Sequence, residues 1–405
     1  MKNTSLYRGF AMPVIAITFI AACFFAVACK KESKLKSPDA TTAQQPDGPV
    51  LPKEPYQYAA GGNNHLSTLG RVLFYDKNLS GDKTVSCGSC HKQEYGFADN
   101  KQFSVGAGGI LTPRNTHTLI KTVNSHFWDG KNQALFFDTS GSCGTGYVPD
   151  SCVIDTNPSL FINPIHIPFL TVSEMNMKTS DLCVRLASIS YYKQLFKDAF
   201  HSDSAITETN ILIALGTFLE NITSTHSKFD QVIAAGGTQF SPDEMDGWDI
   251  FNGKGKCNLC HKANNSFAGV PGFFEDIGLD LTYKDQGRSN TTGRLDDVGR
   301  FHIPPLKNIS LTAPYMHDGR FNTLYEVVEF FDHGVQHSDN FSTALSCCPL
   351  TGMFGDFMIG LGALSSSPQP LNLSKVEKAH LVSFLQTLTD NTQVNDVRLS
   401  DPFKK

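Results

Sequence analysis

The sequence predicts a mainly α, loop-rich protein with few short strands, organised as two tandem domains of similar plan. Three observations lead there. One five-residue motif occurs twice, as Cys87-Gly-Ser-Cys90-His91 and, far along the chain, as Cys257-Asn-Leu-Cys260-His261. A set of landmarks recurs in the same order around both copies. The legible apolar periods are helical, and strand-like alternation is scarce.

C-x-x-C-H is the attachment pattern for c-type haem. Two thiols add across the haem vinyl groups, and the adjacent histidine ligates the iron from the proximal side. Paired zinc knuckles would leave an idle histidine beside each cysteine pair. A thioredoxin-like dithiol would need a βαβ context, which this sequence lacks. The motifs therefore predict two covalently bound haem c groups, held by Cys87, Cys90, Cys257 and Cys260, with His91 and His261 as iron ligands. Each domain is expected to be cytochrome c-like, with the cofactor serving as part of its core.

Residues 1–29 carry Lys2 and Arg8, then an apolar run, then Ala26-Val-Ala-Cys29 before an abrupt change to lysines. This reads as an export signal ending in a lipoprotein-type cysteine. Cys23 is a weaker candidate, since apolar residues follow it, and an uncleaved membrane anchor is the alternative. Covalent haem attachment is made across that same membrane, so both signals point to the periplasm, with lipidation at Cys29. Residues 30–55 have no hydrophobic period and several prolines, as a flexible tether does. The remainder is too long for one core. It is divided into a first haem domain at 56–235 and a second at 236–405. A net charge of −5 with no basic patch gives no sign of nucleic-acid binding. Of 11 cysteines, Cys143, Cys152, Cys183, Cys347 and Cys348 lie outside the signal and the motifs. Cys143 and Cys152 bracket a turn-rich loop and are expected to pair; the other pairings stay open.

The elements follow in order. "LGRVLFYDKNLSG" precedes the first motif and "DGWDIFNGKGK" the second, each with a glycine followed by an aliphatic and a phenylalanine: Gly70, Leu73, Phe74 and Gly247, Ile250, Phe251. Ser241, Pro242 and Glu244 form a capping box for the second of these helices. Asn115 answers Asn308, and Trp128-Asp-Gly-Lys131 answers His317-Asp-Gly-Arg320. The stretch from Ser180 to Phe200 has an amphipathic stripe with a break. A buried helix starts near Thr207, and a Ser374-capped helix closes the chain.

The ordered run "GRVLFYDKNLS…CGSCH…TPRN…FWDG…SEMN…CNLCH…LTAPYMHDGRF" resembles the bacterial diheme cytochrome c peroxidases and the related MauG-type diheme enzymes, from about His65 to Asp390. The resemblance implies a peroxidatic haem at His91 and an electron-accepting haem at His261. It implies that Glu174, in Ser173-Glu-Met175, is the catalytic acid–base, and that Trp128 relays electrons between the haems. It implies a calcium ion held by Asn115 and the carbonyls of Thr312 and Pro314. Members are often dimers, but no interface is legible in this sequence.

Two departures from the family pattern matter. Ala107 stands where the classical peroxidases have a histidine that ligates the peroxidatic iron, so the expectation is an open sixth position. Phe331 stands where the second haem takes a methionine or tyrosine; candidate substitutes are His333, His337, Met353 and Met358, and an open site is the alternative. His126, His166 and His302 read as ordinary loop or pocket residues. Leu160 stands near the place of a pocket glutamine.

The expected function is reduction of hydrogen peroxide to water, with electrons from a small redox protein such as a cytochrome c or a cupredoxin. The alternatives are a MauG-like oxidase acting on residues of a partner protein, and a non-catalytic diheme electron carrier.

Overall fold

The computed structural model describes residues 48–58, 63–120, 127–131, 159–237, 239–262, 274–345 and 367–404. The export segment, most of the tether, Cys143, Cys152, Cys347, Cys348, His126, Met353, Met358 and the Leu160 side chain lie outside that description. Among the described residues no helix is long and apolar enough to cross a membrane.

Helices carry the described chain, and local sequence chemistry starts them. Asn63 caps the Asn64–Tyr75 helix by accepting from the His65 and Leu66 amides. Thr207 caps Glu208–Leu219. Reciprocal capping boxes open Lys228–Ala234, Pro242–Asn252 and Lys375–Gln386, from Ser227, Ser241 and Ser374. The interrupted stripe resolves into two helices, Thr179–Ala187 and Ser190–Phe200. Between them the Ser188 and Ile189 amides turn back to Arg185 and Leu186, and Ile189 takes an extended backbone. The only β-ladder among the described residues pairs Phe274–Glu275 antiparallel with Phe301–His302.

The two halves repeat one helix crossing. A Cβ on Gly70 would stand 2.0 Å from the Ala214 carbonyl oxygen and 2.7 Å from Phe218 Cβ. A Cβ on Gly247 would stand 2.0 Å from the His380 carbonyl oxygen and 2.7 Å from Phe384 Cβ. In each half, then, the helix ahead of the haem motif meets a later helix backbone to backbone, with a phenylalanine one turn on filling the crossing. That crossing is the physical content of the recurring glycine.

Two main apolar cores follow from these crossings. One gathers Leu69, Val72, Leu73, Phe74, Leu215 and Phe218 with Tyr192 and Phe196. The other gathers Phe229, Ile250, Phe251, Leu381, Phe384 and Leu388. The last described residues do not stay with the second core. Leu399 and Phe403 pack into the first, where Arg71 Nε donates to the Ser400 carbonyl at 2.6 Å and Tyr75 Oη to the Leu399 carbonyl at 2.7 Å. The described residues, from 48 onward, form one compact unit.

Candidate functional site

Both motifs form a single tight turn. The His91 amide donates to the Cys87 carbonyl at 2.9 Å, and the His261 amide to the Cys257 carbonyl at 2.9 Å. One turn therefore carries two thiols and an imidazole. In the first copy Gly88 is required, because a Cβ there would stand 2.4 Å from the Tyr75 ring. Burial raises the thiols of Cys87, Cys257 and Cys260 to about 12 and that of Cys90 to about 11, so all four are protonated at neutral pH.

The imidazoles are held as ligands need to be. His91 Nδ1 lies 2.9 Å from the Phe97 carbonyl. A carbonyl only accepts, so Nδ1 carries the proton and Nε2 keeps its lone pair. The Pro304 carbonyl accepts a hydrogen bond from the His261 ring. Burial lowers both histidines to about 4, which keeps them neutral and ligand-competent. Protonated thiols for vinyl addition beside an imidazole with a fixed tautomer fit haem c in both places. The pair of sites defines a two-haem protein of the cytochrome c type.

The surroundings of the two motifs differ. Glu174 lies toward the first, where its charge acts on both Cys87 and Cys90. Burial raises its pKa, and the Lys131 cation partly opposes that shift. Its main chain is pinned, since the Glu174 amide donates to the Thr171 carbonyl and its own carbonyl accepts from the Ala107 amide at 2.8 Å. Ala107 is itself buried. Sequence reasoning missed Lys131 as a neighbour of the carboxylate, and missed Glu275, a carboxyl raised by burial that acts on Cys260 of the second motif.

Trp128 and Asn115 lie where the two halves meet. Trp128 Nε1 donates to the Asn115 carbonyl at 2.8 Å, while the Trp128 carbonyl accepts from the His302 amide at 2.9 Å. The indole packs against a third apolar cluster that includes Tyr283, Phe301, Phe330 and Phe331. It also stands edge-on to His117, 5.9 Å between centroids. Asn115 is buried; its amide nitrogen donates to the Lys101 and Gln102 carbonyls, and its main-chain amide to the His317 carbonyl. Asn308 takes different partners, Gln393 and Asp390, so the sequence match between the two asparagines is not a match of roles. Arg114 is the residue of this junction that the motif "TPRN" displayed but sequence reasoning left unused. It forms a two-pronged pair with Asp285 at 2.6 and 2.8 Å and a second pair with Asp129 at 2.6 Å.

Phe331 is half-buried in the third cluster, inside a π-helical turn, Phe330–Gly334. The two described histidine candidates turn to the surface. His333 is 52% exposed and pairs with Asp332 at 3.0 Å, and His337 is exposed, with its ring edge against Phe341. His166 pairs with Glu208 at 3.2 Å, and His302 stands edge-on to Phe274. Cys183 bonds to no other cysteine among the described residues. The cis Ala313–Pro314 bond follows directly on Thr312.

Comparison with known proteins agrees with the geometry. A model of the di-haem cytochrome c peroxidases matches residues 64–238. Cytochrome c551 peroxidase of Nitrosomonas europaea is 30% identical over 69% of this chain and 76% of its own length. The methylamine utilization protein MauG of Methylorubrum extorquens is 26% identical over 79% of this chain and 77% of its own. A solved MauG-like protein associated with microbial copper homeostasis superposes with a TM-score of 0.64 at 27% identity, covering 90% of this chain and 99% of the other. The diheme peroxidase BthA of Burkholderia thailandensis shares the fold, with a TM-score of 0.58 at 18% identity over 82% of this chain and 87% of its own. The chain belongs to the di-haem cytochrome c peroxidase family. It is an oxidoreductase with two haem c groups.

Proposed function

We propose that this enzyme reduces hydrogen peroxide to two waters at the haem carried by His91, using two electrons and two protons. The electrons come from a small redox protein, a cytochrome c or a cupredoxin, and enter through the haem carried by His261. The observation that carries this reading is at the first site: Ala107, standing where an internal ligand would be, donates its amide to the carbonyl of Glu174, whose half-buried carboxyl acts on Cys87 and Cys90. Bound haem supplies an iron that peroxide can reach and that exchanges electrons. Glu174 accepts the proton of the near peroxide oxygen and returns it to the far one, so that water is the leaving group. Lys131 limits how far burial can raise the carboxyl and so keeps an accepting fraction. Trp128, tied to both halves, is the proposed relay.

The division into haem domains at 56–235 and 236–405 belongs to this reading, as do export to the periplasm and tethering through Cys29. Ala107 implies a first haem that needs no reductive activation. Steady-state peroxide turnover with a reduced cytochrome c or cupredoxin is the test, with EPR of the fully oxidised holoenzyme beside it. The expected result is turnover, with one high-spin haem in the resting spectrum. Two six-coordinate low-spin haems, or no turnover with either donor, would overturn it.

Calcium is proposed at Asn115 with the Thr312 and Pro314 carbonyls. Its support is chemical: the Asn115 amide nitrogen is spent on two carbonyls, which turns the side-chain oxygen, a hard donor, the other way. Stripping the holoenzyme with a calcium chelator is expected to slow electron transfer between the haems, with recovery on adding calcium but not magnesium.

A second reading, a MauG-like oxidase drawing electrons from residues of a partner protein, is favoured by Ala107, by Phe331 and by the likeness to the MauG-like structure. Turnover with a small donor protein separates the two.

A further inference from the structure

The segment that carries Glu174 is gripped from two sides. On one side the Gly81 amide donates to the Met175 carbonyl at 2.8 Å, and a Cβ on Gly81 would stand 2.3 Å from the Asn176 carbonyl oxygen. On the other the Ala107 amide donates to the Glu174 carbonyl, and a Cβ on Gly106 would stand 2.1 Å from the Ser173 carbonyl oxygen. The grips are the turn ahead of the first haem motif and the loop in which Ala107 replaces a histidine. Neither contact involves the Glu174 side chain, so both set where its backbone lies.

One side chain joins the grips. Asp82 Oδ2 accepts from the Gly108 amide at 2.6 Å, across 26 residues of sequence. Its Oδ1 accepts from the Thr84 amide at 3.0 Å and the Thr84 hydroxyl at 2.8 Å. Gly108 sits at φ +69, a left-handed conformation that a side chain would strain. Arg185 braces the turn from behind, donating to the Asn78, Ser80 and Gly81 carbonyls. Burial pushes the Asp82 carboxyl up, but the bonds from Gly108 and Thr84 outweigh it and hold it below the usual range, so it is an anion at neutral pH.

We propose that Asp82 is a positioning residue for peroxide cleavage: it locks the Gly106–Gly109 loop to the turn before Cys87 and thereby fixes Glu174 at the open face of the first haem. This rests on the reading of Glu174 as the proton-transfer group. Charge-assisted acceptors of this kind are strong, and small misplacements of a proton-transfer group are costly in rate. Asp82 is exposed, so replacing it opens no cavity in a core.

The test is a double-mutant cycle in the two-haem holoenzyme, reading the bimolecular rate of the Soret change on mixing with hydrogen peroxide, across pH. Asp82→Asn exchanges one acceptor oxygen for a donor that opposes an amide N–H. It is expected to slow the reaction roughly tenfold and to flatten its pH profile, while leaving haem content unchanged. In the Glu174→Gln background the same substitution is expected to add nothing. Asp82→Ser serves as a second variant should Asp82→Asn load haem incompletely. A wild-type rate for both Asp82 variants beside a crippled Glu174→Gln enzyme overturns the positioning role alone. So does an equal loss in both backgrounds, which would place Asp82 outside the Glu174 pathway. A wild-type rate for Glu174→Gln overturns the underlying reading, and the positioning role with it.

Discussion

Glu174→Gln is expected to lower peroxide turnover by about 10²- to 10³-fold, within the range a positioned proton-transfer group contributes. Both haems should remain covalently attached and their resting spectra unchanged. The substitution is nearly isosteric, and the contacts that hold this residue's backbone, from Ala107 and to Thr171, involve no side-chain atom. The pH dependence has a definite sign. Only the carboxylate can accept the peroxide proton, so activity is present above the Glu174 pKa and lost as pH falls through it. Burial raises that pKa, so the acid limb should lie above the ordinary carboxylate range. Replacing Lys131 by methionine removes the opposing cation and should move the limb higher still. Stopped-flow and steady-state rates from about pH 4 to 8 would check both shifts. A Glu174→Gln enzyme with wild-type kcat/KM would leave the first haem without its proton shuttle and end the peroxidase mechanism proposed above.

Gly247→Ala is expected to be the most destabilising small substitution in the second half, and Gly70→Ala its counterpart in the first. In a solvent-exposed helix the change to alanine would gain about 1 kcal/mol. Here the new Cβ meets a carbonyl oxygen of the partner helix at 2.0 Å, and no side-chain rotation can move a backbone atom aside. The helices must separate, which loosens Phe384 or Phe218 in the crossing. A net loss of about 3 kcal/mol or more follows, seen as a fall of the holoprotein Tm by roughly 6–12 °C. Gly216→Ala is the control. It lies in the Glu208–Leu219 helix, and its Cβ would meet only Ile165 Cδ1, at an ordinary 3.5 Å. That variant should be neutral or slightly more stable. Equal effects at positions 216 and 247 would show that the crossing is not the reason for the recurring glycine.

Much of the molecule was legible in the chain because it is settled within a turn or two. The haem turns need only the spacing of Cys87, Cys90 and His91 and its repeat at Cys257. The capping boxes at Ser241 and Ser374 need only a serine and a glutamate three residues on. The internal duplication showed in Gly70 and Gly247 because a helix crossing that close tolerates no side chain. At Asn115 and Asn308 the recurrence stops at the residue type, since each asparagine binds different partners in its own half.

What tertiary structure alone decided depends on residues far apart in sequence. Nothing local announces that Arg114 will reach Asp285, or that Lys131 will stand near Glu174. Nor does the chain announce that Leu399 and Phe403 return to the first core, or that His333 and His337 are exposed. The sequence by itself determined where the two C-x-x-C-H turns fall, because that motif is a matter of spacing along the backbone. Only the folded chain decided the electrostatics around Glu174 and the joint between the halves, because charge and burial act through space.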